Sequence, residues 1–132
     1  MRDIRSLVAR ALKDMELAKR YRQRKEYAAT TLLYNKAIEK VLKALFISKK
    51  RKDPPLGASA VYLASNIRMP EEIMTGLLSL QETDDEVLWS GNEATIMTYE
   101  RIGKSMKAEH KLIQMDELAT RLIDSAMRRA EA

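Results

Sequence analysis

The residues in this chain whose types and spacing point to chemistry are two basic clusters, a lysine stripe, one histidine and a run of carboxylates. The first basic cluster is Lys19, Arg20, Arg22, Arg24 and Lys25, interleaved with Tyr21. The second is the unbroken run Lys49-Lys50-Arg51-Lys52. Such clusters neutralise phosphates, and an aromatic among them offers a face on which a nucleobase stacks. A plainer reading competes: cations complement the negative end of a helix dipole and keep a surface soluble. Lys36, Lys40 and Lys43 follow at i, i+4 and i+7. That spacing sets three ammonium groups on one helical stripe, a phosphate track or an ion-paired face, with Glu39 between them as a partial neutraliser.

His110 is the only histidine. An imidazole can serve as a general base, so His110 with Arg101 and Lys107 is a candidate RNA-cleaving site. Set between Glu109 and Lys111 in a polar stretch, it also reads as a surface residue. Glu82, Asp84, Asp85 and Glu86 are four carboxylates within five residues, but no turn glycine stands at the spacing of a hard-metal loop. A helix N-terminus favours this composition without any metal, and the patch can also dock a basic surface. The chain has no cysteine, which removes disulfides, thiol nucleophiles and thiolate metal sites. Gly-rich phosphate loops and nucleophile elbows are missing as well. We therefore expect no metal and no cofactor.

Length and charge bound the rest. At 132 residues, 45% hydrophobic and 33% charged, the chain has the size and composition of one globular domain, expected over residues 1–132. Its net charge of +5 conceals a split. Residues 1–52 hold 16 Lys and Arg against 5 Asp and Glu, a balance of +11; residues 53–132 hold 8 against 14, a balance of −6. A basic half of this kind suits an anionic partner, and opposite halves of two copies attract each other. No apolar run is long enough to span a membrane, and the charged start Met1-Arg2-Asp3-Ile4-Arg5 does not read as a signal peptide. With no cysteine, the expected location is the cytoplasm.

The elements that must position these residues are helical. Ile4, Leu7, Val8, Ala11, Leu12, Met15, Ala18 and Tyr21 make one apolar stripe over residues 3–22. A second helix is predicted over 26–49. Tyr27, Thr31, Tyr34, Ile38, Val41, Leu42, Leu45 and Phe46 form one stripe, with Leu33, Ala37, Ala44 and Ile47 beside it. Two stripes imply burial on two sides, and the surplus could seal a dimer. The short break near Gln23–Glu26 makes these helices an antiparallel hairpin with the basic clusters at opposite poles, about 35 Å apart. A short helix is predicted within Gly57–Ile67 and another from Pro70, with Ile73, Leu77 and Leu80 inward. Thr83 with Glu86 reads as a capping box, and Glu93–Met106 as a ragged helix. Asp116 reads as the cap of a closing helix carrying Leu118, Ala119, Leu122, Ile123, Ala126 and Met127. Met15, Met97, Met115 and Met127 are expected in the core, and Trp89 as a core or interface anchor. The fold class is all-α, an up-and-down bundle of five or six helices.

The segment Ala37-Ile38-Glu39-Lys40-Val41-Leu42-Lys43-Ala44-Leu45 resembles the second helix of the HEPN domain, a small helical module named for nucleotide binding. Ala11–Lys19 is similar to the family's first helix, Lys25-Glu26-Tyr27-Ala28 to the start of the second, and Pro54-Pro55 to its proline-bearing loop. The helix from Asp116 is similar to the closing one. The likeness is strongest over residues 7–67. It implies an up-and-down bundle, often a homodimer, paired with a small nucleotidyltransferase or acting as a ribonuclease in toxin–antitoxin and defence systems. Catalytic members carry Arg, four to six residues, then His. Here the Arg would stand at Gly103, Lys104 or Ser105, and Arg101 is separated from His110 by eight residues. The loop position where members often place a histidine holds Gly57-Ala58. The expectation is a non-catalytic dimeric module binding a partner protein, a nucleotide or RNA through its basic half. The alternative is a metal-independent ribonuclease.

Overall fold

The computed structural model describes residues 3–78 and 106–131. Helix α1 spans Ile4–Gln23, α2 Tyr27–Lys50 and α3 Ala60–Asn66; residues 71–78 form α4, and Met106–Glu131 form α5. No strand occurs among the described residues.

Each start has a local cause. Asp3 caps α1, its carboxylate accepting from the Arg5 amide at 3.0 Å. Ser59 caps α3, its hydroxyl accepting from the Tyr62 amide at 3.1 Å. Pro70 opens α4 as expected, its carbonyl accepting from the Ile73 and Met74 amides. The helix ends share a rarer device. Lys25, Arg51 and Arg68 follow or close α1, α2 and α3 with φ of 60°, 56° and 52°. At two of these ends the backbone forms a complete Schellman motif. Lys25 donates to the Arg22 carbonyl at 2.9 Å and Glu26 to Tyr21 at 3.0 Å. Arg68 and Met69 repeat the pattern on Ser65 and Ala64. Glycine usually fills the left-handed position, and a side chain there costs about 1 kcal/mol.

The α1–α2 hairpin is the largest helix–helix contact, and α5 then packs on α2 and touches α1. Leu7, Val8, Ala11, Met15 and Ala18 supply the buried stripe of α1. Both stripes of α2 are buried: Tyr34, Ala37, Val41, Leu42 and Ala44 have no exposed surface, and Leu45 and Ile47 almost none. The second stripe is thus covered within one chain, by α5 and α3, and is not a surplus for a dimer seam. Thr30 and Thr31 satisfy their buried hydroxyls on the carbonyls four residues back, Glu26 and Tyr27, each at 2.8 Å. Leu112, Met115, Ala119 and Leu122 face inward from α5. Gly76 lies under Leu118, and Arg121 reaches Glu72 at 3.4 Å, so α4 and α5 run antiparallel.

Two further expectations are corrected. Asp116 does not cap the closing helix; it lies in its interior, because helix α5 begins at Met106. Met127 is 40% exposed rather than core, at the edge of the α5 stripe. Leu80, the Thr83–Glu86 box, Trp89 and Met97 lie outside the described residues.

Candidate functional site

The cations of the first cluster converge at the tip of the hairpin because α1 ends there and Lys25 turns the chain. Lys19, Arg20, Arg24 and Lys25 are exposed, and Arg22 and Tyr21 are half-buried. Arg20 makes a surface pair with Glu16 at 3.4 Å, of the kind that contributes little. Lys19, Arg24 and Lys25 have no ion pair among the described residues.

Beside this tip the first helix and the last form a cleft of about 550 Å³. Lys19, Arg22 and Gln23 line it from α1, and Ile113, Asp116 and Glu117 from α5. A polar node fixes its base. The Tyr34 hydroxyl donates to Oδ2 of Asp116 at 2.7 Å, joining α2 to α5. Burial and the Asp116 carboxylate push this phenol up to about 12, while the neighbouring Arg22 guanidinium pulls the other way. Tyr34 is therefore a neutral donor at physiological pH and not a base. Side chains lean toward the start of their own helix, so Arg22 and Tyr34, on antiparallel helices, reach toward each other.

The lysine stripe does not act as one unit. Lys40 is bound to Asp14 across the hairpin at 2.5 Å, half-buried, and Lys43 pairs with Glu39 at 3.6 Å. Lys36 stays exposed. At the opposite pole Lys49 is structural: its ammonium donates to the Ile67 carbonyl at 2.5 Å and holds the end of α3. Lys50, Arg51 and Lys52 are exposed there.

His110 is exposed on α5, with its Nε2 3.3 Å from Nε2 of Gln114 on the same helix. It does not line the cleft. Arg101 lies outside the described residues. A second groove of about 330 Å³ runs between α4 and α5, lined by Glu72, Thr75, Gly76, Gln114, Glu117 and Arg121 among others, so Glu117 borders both hollows. Among the described residues no group of three or more His, Asp or Glu could hold a metal, and no helix is long and apolar enough to cross a membrane.

Gln23, Ile113, Asp116 and Glu117 are the cleft residues that sequence reasoning missed, together with the bond from Tyr34 to Asp116. The available signal was Asp116 itself, a carboxylate on the inward side of a helix between Leu112 and Ala119. Comparison with known proteins finds no match among curated proteins or among solved structures. The family model described as HEPN domain matches residues 4–99, which take in the hairpin and its basic tip and stop short of α5. That span is most of the sequence, and the chain belongs to the HEPN domain family.

Proposed function

We propose that this chain is a non-catalytic HEPN interaction module, residues 1–132 acting as one helical unit, that works as a cytoplasmic homodimer and takes nucleotide or RNA phosphates at the basic tip of the α1–α2 hairpin. One observation carries this reading. Lys19, Arg24 and Lys25 are exposed cations without ion-pair partners among the described residues, gathered beside a cleft. Cations left unpaired on one end of a molecule exchange counterions for phosphates at little cost. Family membership supports a nucleotide- or RNA-related, or toxin-type, role. A small nucleotidyltransferase is the partner protein the family resemblance implies. The opposite charge of the two halves, +11 and −6, favours attraction between copies. The non-catalytic part rests on the Arg101–His110 spacing and on the place of His110, exposed and outside the cleft.

The test is fluorescence anisotropy with a short labelled RNA over a salt series. Affinity should fall steeply with salt. The double variant Arg24→Ser, Lys25→Gly should lower the slope of log affinity against log salt by about 2. Salt-insensitive binding, or an unchanged slope, removes the site. RNA cleavage that disappears in His110→Ala replaces the module with a ribonuclease. Sedimentation as a monomer at micromolar concentration removes the dimer.

A further inference from the structure

We propose that the cleft between α1 and α5 selects guanine, reading a guanine nucleotide or a guanine-ended RNA with Lys19 on the phosphate and Glu117 on the base. The inference rests on the phosphate-binding reading above and adds a base to it. Its starting point is a pair of opposite charges that do not meet. Lys19 on one wall and Glu117 on the other line the same cleft, yet neither has an ion-pair partner among the described residues. The other charges are occupied. Asp116 accepts from Tyr34, Arg22 lies beside that hydroxyl, and Arg121 is turned to Glu72.

What fits between them must bring negative charge to Lys19 and N–H donors to Glu117. A carboxylate accepts two parallel N–H bonds. Among the standard bases guanine alone sets two donors side by side on one edge, N1–H and the 2-amino group. Adenine and cytosine place a ring acceptor beside their amino group, and uracil flanks its N3–H with carbonyls; each turns a lone pair toward the second carboxylate oxygen. Ile113, 40% exposed on the α5 wall, gives the purine face an apolar surface. Gln23 can donate and accept at the rim. The volume of about 550 Å³ lies within the roughly 300–1,000 Å³ of small-molecule sites.

Isothermal titration of the full chain with GMP, IMP, AMP and guanosine tests this. IMP lacks only the 2-amino group, so GMP should bind about tenfold tighter than IMP or AMP, the loss expected for one hydrogen bond to a charged group. Glu117→Gln, an exposed position on α5, should bring the three nucleotides level. Lys19→Ala should weaken every monophosphate by a similar factor and leave guanosine unchanged. Free GMP and a 5′-GMP-ended RNA distinguish a nucleotide ligand from an RNA end. Equal affinities for GMP, IMP and AMP in the unaltered protein overturn the base assignment while the phosphate reading stands. No binding of any monophosphate, or of the labelled RNA, sinks both.

Discussion

The two ends of the α1–α2 hairpin carry similar residues and use them differently. Both turn on a cation in the left-handed conformation, Lys25 at one end and Arg51 at the other. At the Arg51 end the neighbouring Lys49 is spent on the Ile67 carbonyl, so part of the basic run is scaffold. At the Lys25 end the scaffold is a neutral phenol between a guanidinium and a carboxylate, while Lys19, Arg24 and Lys25, without an ion pair among the described residues, stand beside the α1–α5 cleft. Composition alone does not separate a binding end from a structural one; Lys50, Arg51 and Lys52 are exposed as well, and the separation lies in the cleft that the fold sets beside the Lys25 end.

The largest test removes what joins the ends. Leu45→Asp buries an unpaired charge in the seam and should cost on the order of 5 kcal/mol, leaving little soluble protein and no cooperative unfolding transition. Soluble, folded Leu45→Asp would contradict the shared core. Next comes the tip node. Tyr34→Phe strips Asp116 of its shorter hydrogen bond, leaving the Thr120 hydroxyl at 3.5 Å, and should lower urea stability by about 2 kcal/mol. Because the folded phenol titrates at about 12, above its ordinary value, its stabilisation is complete below about pH 10 and is lost as pH rises toward 12. The unaltered protein should therefore lose stability over that window by a step that Tyr34→Phe lacks.

At the far end, Lys49→Met removes the ammonium from the end of α3 and should cost about 1.5 kcal/mol, with RNA affinity changed only by the loss of one distant charge. The smallest effects are gains. Lys25→Gly and Arg51→Gly each relieve a left-handed side chain and should add about 1 kcal/mol. Only Lys25→Gly should also weaken RNA binding; equal losses from both would erase the distinction between the ends.

The sequence made the hairpin legible because α1 and α2 carry regular stripes and the chain between them is too short for anything but a turn. It made the cleft nearly illegible. The first turns of α5 hold Lys107, Glu109, His110 and Lys111, whose polarity dilutes the helical period and puts the expected start of the helix at Asp116. The partner of Asp116 stands 82 positions away, and no local pattern marks it. The surplus stripe of α2 looked like a subunit seam because nothing in one chain's periodicity says which later helix will cover it. The left-handed turns were hidden for a simpler reason: no glycine stands at Lys25, Arg51 or Arg68.

The bond from Tyr34 to Asp116 also works as a ratchet pawl. The inward side of α5 repeats in part every seven residues, Leu112 with Ala119 and Met115 with Leu122, but a slide of two turns would set Ser125 and Arg129 where Leu118 and Leu122 are buried. Such a slide would carry Ile123 opposite the phenol, stranding the hydroxyl among hydrocarbon and dragging the carboxylate elsewhere. The polar pair therefore adds to the apolar packing in setting the height of α5 against α2, and with it the level at which the two walls of the cleft stand.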